Sequence, residues 1–422
     1  MALKIGPRLR LSDDGPAGVA IRGLVYAAVL LGLLAATPAV PLHDGFDYDG
    51  RFYAAMAGDP RLDPDLARVE PFCYRVLTPW LVARLPGPMR DRFVALDLAS
   101  WFGTALLLHA LARRLGADAR AAYLGVGLLL ATFPGPRFAF YSPYYTEPLM
   151  MLLIAFGLVC VERAWFVALV LLVPLAILQR PQTLVLAACS AVADWQGRRF
   201  TAARLVGYGL MLGGALEVRR AVARSVEPLN RYGDFELVAR EIAGRLATDP
   251  EFRLRSALGT GVGLGVAAVA VAALPGARRL LLERRYLLAY LLLGLLSLLG
   301  GYDKMRLVFI LAPVWALALA VGFARLDLGG RSFAAMALGL SAAHLLTQAP
   351  WTDLADGAAY LNALVPEAAP ELDARGIALR LAAGNALALA TLVLARRFGA
   401  GGRGSPGIAQ PQHRVAPVRG AP

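Results

Sequence analysis

Apolar runs recur along this chain, separated by short turns that carry arginine pairs, and any fold must satisfy that alternation. The runs lie near 23–40, 93–112, 119–134, 147–161, 164–179, 181–195, 203–216, 256–275, 286–301, 305–324, 333–349 and 376–395. They predict about twelve transmembrane helices. Runs between 147 and 195 are the shortest and also fit core-facing or re-entrant helices. Composition agrees: the 422 residues are 58% hydrophobic and 17% charged, with a mean hydropathy of +0.56, which excludes an ordinary soluble enzyme and a disordered chain. The expected fold class is an all-α polytopic membrane protein.

The formal charge of +13 does not point to nucleic acid, because the basic residues form no single cluster. Arg113-Arg114, Arg198-Arg199, Arg278-Arg279, Arg284-Arg285 and Arg396-Arg397 sit instead in turns between apolar runs. Placing Lys4, Arg8 and Arg10 on the cytoplasmic side puts every pair on that side too, as the positive-inside rule requires. Residues 1–22 then form a cytoplasmic N-terminus, 23–398 the membrane domain, and 399–422 a Gly-, Pro- and Arg-rich tail expected to be disordered in the cytoplasm. Segments 41–92 and 217–255 fall outside and mix acids with bases. The first run carries no small-residue cleavage site and is expected to be an anchor. Cys73, Cys160 and Cys189 imply no disulfide framework, and four scattered histidines show no metal-ligand spacing.

Immediately after the first run comes "HDGFDYDGRFYAAMAGDP" (43–60), with Asp44, Asp47, Asp49 and Asp59 among aromatic residues. Asp49 stands where a helix N-cap would, with Tyr48 and Tyr53 spaced for a hydrophobic staple. Phe52, Tyr53 and Met56 share one helical face, suited to the membrane interface. A second segment, "PFCYRVLTPWL" (71–81), predicts another interfacial helix, with Arg75 near its start and Trp80 at headgroup depth. Capping and solvation explain Asp49 as well as chemistry does, and lipid-phosphate contact explains Arg75.

Three further stretches place polar groups at the same face. Glu147 begins an apolar run after Tyr141, Tyr144 and Tyr145; a carboxylate entering the bilayer must face a cavity or a partner. "LQRPQT" (178–183) supplies Gln179, Arg180 and Gln182, and "GGYDKMRL" (300–307) supplies Asp303, Lys304 and Arg306. Arginine forks suit a phosphate, whose oxygens they contact in pairs. Snorkelling of long cations is the competing account. Asp97 and His109, in the second run, are among the few ionisable groups at midspan.

The pair "FDYDGRFYAAMAGDP" and "PFCYRVLTPWLVARLP" resembles the first outer loop of bacterial membrane glycosyltransferases of the GT-C superfamily and their surface-glycopolymer relatives. The resemblance covers about 40 residues, counted within segment 41–92, and is topological elsewhere. It implies interfacial helices in the first outer loop, a bacterial inner membrane, and transfer of a sugar from a polyprenyl-phosphate donor to a glycan or lipid acceptor. Its acidic position falls on Asp49, with Asp47 as competitor, and Asp47-Tyr48-Asp49 has the family's Asp-x-Asp spacing. Asp49 and Asp47 are thus the expected catalytic residues. Arg51, Arg75, Tyr145, Glu147, Gln179, Arg180, Asp303, Lys304 and Arg306 are the expected substrate-binding residues, with Arg180 and Arg306 at the phosphate. A divalent metal, Mg or Mn, bridging the phosphate and Asp47/Asp49 fits this chemistry, although no ligand set identifies one. The rival readings are a polytopic transporter or lipid flippase, and a non-catalytic component of polysaccharide assembly.

Overall fold

A computed structural model describes residues 15–37, 49–229, 235–299, 304–348 and 374–401. Asp47, Tyr48, Asp303 and the tail beyond residue 401 lie outside the described residues. Among the described residues the chain is all-helical. Four stretches are long and apolar enough to cross a membrane: Pro16–Ala36, Met89–Arg114, Lys304–Ala324 and Ala374–Phe398. A bent pair, Pro250–Leu264 with Ala267–Ala273, makes a fifth if counted as one span.

Helix length and composition therefore give four or five spans where the apolar runs predict about twelve. Each run is helical, but several are short. The run at 119–134 is helical over Ala119–Ala131 and stops before Phe133-Pro134, and the run at 164–179 over Phe166–Ala176, with Pro174 inside. The run at 203–216 continues to Val226 through Glu217, Arg219 and Arg220, beyond its apolar part. The run at 256–275 is not one helix: at Gly265 (φ 53°) its two pieces bend by 68°. Side chains occupy that break. Gln348 Nε2 donates to the Val262 carbonyl at 3.0 Å, while its Oε1 accepts from Phe133 N at 2.8 Å. Irregular backbone inside a membrane bundle needs such partners.

Helix α1 (Pro16–Ala36) exposes Val19, Ile21, Leu24, Val29 and Leu31, and the last helix exposes Leu379, Leu389, Val393 and Leu394. Apolar surface this extensive suits lipid, as do the stretches long and apolar enough to cross a membrane. The helix at Ala312–Ala324 is buried almost throughout and forms the centre of the core. It packs against Ala119–Ala131 so closely that a side chain at Gly125 would meet the Ala316 carbonyl, so only glycine fits there.

Among the described residues four short elements connect the first two spans: α2 (Gly50–Met56), 3-10 turns at Pro64–Arg68 and Phe72–Tyr74, and α3 (Leu77–Val82); α4 is the long helix Met89–Arg114. The segment 71–81 is not one helix. A 3-10 turn at Phe72–Tyr74 ends at Arg75 (φ −98°, ψ 61°), and α3 starts beyond it. The expected lipid-facing side of α2 points inward. Phe52 stacks on Phe72 with centroids 4.5 Å apart, and Tyr53 is fully buried. Trp80 is exposed, as an interfacial residue should be.

Contacts sort the polar segments to two ends of the bundle. Leu229 N donates to Arg68 O at 3.1 Å, and the Arg219 guanidinium lies 4.1 Å from the Tyr74 ring centre, so the two long segments share one end. At the other end Glu162 takes Arg284 at 3.3 Å and Arg114 at 3.9 Å, and Glu283 takes Arg279 at 2.6 Å and Arg325 at 3.2 Å. The helix Glu147–Arg163 joins these ends, its two carboxylates about 22 Å apart along the axis. All three native cysteines are buried, so introduced ones report cleanly. Asp65→Cys and Leu229→Cys should label from outside intact cells, and Arg279→Cys only after permeabilisation. Labelling of Asp65→Cys and Arg279→Cys from the same side would contradict this arrangement.

Candidate functional site

The site forms where four chain segments meet at the loop end. Glu147 opens its helix, and only 8% of its side chain is exposed. Arg180 precedes Pro181, which forces an extended backbone (φ −163°, ψ 141°) and turns the side chain back toward that helix. Its Nη2 donates to Glu147 Oε1 at 2.6 Å and its Nε to Thr146 Oγ1 at 2.9 Å. Neighbouring Gln179, fully buried, stitches the turn to the first loop. Its Nε2 donates to Thr78 Oγ1 at 2.7 Å and to the Thr146 carbonyl, and its Oε1 accepts from Thr78 N at 3.1 Å.

Arg306 joins the two carboxylates. It lies in a short helix, Lys304–Val308. Its Nε and Nη2 reach Glu147 Oε1 at 3.0 and 2.5 Å, and its Nη1 reaches Asp49 Oδ2 at 3.1 Å. The guanidinium lies 3.9 Å from the centre of the Tyr145 ring, a cation–π floor that fixes its plane. Arg75 enters from the first loop, donating to the Tyr53 hydroxyl at 2.5 Å. Burial pushes the Tyr53 phenol up, with Arg75 opposing, so it is present as a neutral hydroxyl. Arg75, Arg180 and Arg306 all act electrostatically on Glu147.

Among the described residues three guanidinium groups thus surround these two carboxylates in a largely buried space. Of the two carboxylates only Asp49 is partly open, at 24% exposure. Asp49 stands at the helix N-cap position but makes no side-chain cap bond; its carboxylate goes to Arg306 instead. The capping account of Asp49 is replaced by an ion pair.

Asp49, Tyr145, Glu147, Gln179, Arg180 and Arg306 are brought together, with Arg75 beside them. Two expected residues are placed elsewhere. Arg51 is exposed and lies 5.0 Å from the Phe52 ring centre. Lys304 donates to the Leu298 carbonyl and faces Phe252 at 5.6 Å. Both placements have one cause: residues two apart on a helix point in different directions, so Arg51 does not follow Asp49, nor Lys304 follow Arg306. Asp47 and Asp303 lie outside the described residues.

The structure adds groups that sequence reading missed. Thr78 and Thr146 carry no motif, and Tyr53, spaced for a staple, is here the partner of Arg75. Asp97 is 1% exposed, and its Oδ2 has no hydrogen-bond partner among the described residues. It sits level with Glu147, because α4 and the helix Glu147–Arg163 run side by side, with Phe93 against Tyr144 and Gly103 against Leu152.

Among the described residues no group of three or more His, Cys, Asp or Glu could hold a metal ion. Asp49 and Glu147 are both engaged by guanidinium groups, and Asp47, the other carboxylate of the expected metal bridge, lies outside the described residues. No family model matches the chain, and neither does any curated protein or solved structure.

Proposed function

We propose that this chain is a membrane glycosyltransferase of GT-C type, moving a sugar from a polyprenyl-phosphate donor to a glycan or lipid acceptor at the outer face of the bacterial inner membrane. One observation carries the reading: Arg306 bridges a sealed carboxylate, Glu147, and a partly open one, Asp49, beside Arg180. In this reading about twelve helices traverse the bilayer, the shorter ones as core-facing spans, and both termini are cytoplasmic.

The donor phosphate docks on the guanidinium groups, which suit it geometrically and offset the charge it gains on leaving. Glu147 holds Arg180 and Arg306 in place. When the phosphate engages Arg306, the Asp49 carboxylate is released from its ion pair toward the acceptor. The acceptor oxygen then bonds to the anomeric carbon, and the bond from that carbon to the phosphate oxygen breaks, its electron pair leaving with the phosphate. The acceptor's proton passes to Asp49 and from there to solvent. No step here is assigned to a metal.

A second reading has its own support. The broken helix at Gly265, bound by Gln348 and close to His344, is the kind of feature carriers use to form a binding site. Purified protein in proteoliposomes, given radiolabelled polyprenyl-phosphate sugars, separates the two. Covalent transfer to an acceptor is expected; translocation of lipid without a covalent product would make the chain a flippase, and neither would make it a scaffold.

Donor affinity gives a direct check on the arginines. Arg306→Ala and Arg180→Ala should each weaken donor binding by about 10- to 100-fold, the worth of one charge-assisted contact. Unchanged affinity in both variants would leave these arginines with a purely structural role.

A further inference from the structure

A second cleft opens at the same end, just beyond the C-terminal end of α2. It has a volume of about 350 Å³ and is lined by Asp59, Pro60, Arg61, Pro88, Met89, Arg90 and Tyr144. Asp59 is buried and grips Arg61 in a fork, Nε to Oδ1 at 3.0 Å and Nη2 to Oδ2 at 2.7 Å. Arg61 also bonds the buried Tyr144 hydroxyl. Its side chain is nonetheless 56% exposed. A snorkelling arginine follows lipid freely, whereas this one is clamped along two of its nitrogens with its charge presented to the cleft. Arg90 adds a second positive charge beside Tyr144, and Asp59 is the one carboxylate among the described lining residues.

The cleft is linked to the ionic site twice. Asp49 and Asp59 flank the seven-residue α2, about 10 Å long, and Tyr144 immediately precedes Tyr145, whose ring carries Arg306. Its volume is at the small end of the ligand-pocket range, and Pro60, Pro88 and Met89 supply an apolar wall. We infer that this cleft is the acceptor subsite and that it takes an acidic saccharide, whose carboxylate pairs with Arg61 and Arg90. The inference rests on the glycosyltransferase reading for the word acceptor, but the binding it states can be measured without transfer.

Protein in phosphatidylcholine nanodiscs is titrated with a hyaluronan tetrasaccharide, which carries carboxylates, and with the neutral tetramer of N-acetylglucosamine. Saturable binding of the acidic sugar is expected, with the neutral one at least about tenfold weaker, since its charged contacts are absent. Arg90→Gln should lower acidic-sugar affinity about tenfold or more. Arg61→Gln should do the same; because it also unpairs Asp59, Arg90→Gln is the deciding variant. Arg68→Gln, elsewhere in the first loop, should bind as the unmodified protein does. Equal binding of both sugars, or no effect of Arg90→Gln, overturns the inference. So does loss of sugar binding when phosphatidylglycerol is added, which would make the cleft a lipid-headgroup site. Transfer activity with Arg90-independent binding overturns the cleft assignment alone. Arg90-dependent binding in a protein without transfer activity upholds the cleft and overturns the enzymatic reading.

Discussion

Glu147→Gln should destabilise the protein by about 3–5 kcal/mol, the usual cost of removing one partner from a buried ion pair. Glutamine has the same size and can still accept a hydrogen bond, so the loss is of charge and not of packing. Arg180 and Arg306 would then face each other in a largely sealed space, with Arg75 nearby. Because the pairs share Glu147 Oε1, their contributions are coupled and should not add. The double variant Glu147→Gln/Arg180→Met should recover part of the loss by removing one uncompensated charge. Unfolding followed by heat or denaturant in a fixed detergent checks this. A single variant as stable as the unmodified protein would mean that Glu147 is not the buried centre of the cluster.

Helix positions were legible in the sequence, because apolar runs with polar breaks dictate them locally. A run of a dozen apolar residues reads alike in a bilayer and in a protein core, so length and composition pick out four or five spans where the runs predict about twelve. Phe52, Tyr53 and Met56 show the same limit: their spacing defines a face, but only Phe72 decides that the face meets protein. The break at Gly265 lies in a run read as one span for its apolar character, although Gly259, Gly261, Gly263 and Gly265 weaken a helix there.

In the site, legibility followed cost. Glu147, Gln179 and Arg180 stand out because a polar group in an apolar run is expensive unless partnered. Arg51 is near Asp49 in sequence, but its side chain lies over the Phe52 ring instead. Arg306 lies 257 residues from Asp49, and no local pattern announces that pair. Thr78 matters only through Gln179, and Tyr53 through Arg75, so no spacing could have found those roles.

Asp49→Asn tests the central claim most directly. The substitution preserves shape, and Asn keeps an oxygen that can still accept from Arg306. It removes no cap bond, because Asp49 makes none, but it takes one negative charge from a largely buried pair, at a cost of about 1–3 kcal/mol. Expression should therefore persist, with unfolding shifted less than in Glu147→Gln. Removing the proton acceptor should slow the chemical step about 10²- to 10⁴-fold, with donor affinity little changed. The measurement is the rate of sugar transfer from a labelled polyprenyl-phosphate donor under saturating conditions, with Asp47→Asn run in parallel. A large loss of rate in folded Asp49→Asn, and near-normal rate in Asp47→Asn, is the result this account predicts. Transfer at the unmodified rate in Asp49→Asn would contradict it, and loss in Asp47→Asn alone would move the base two residues upstream.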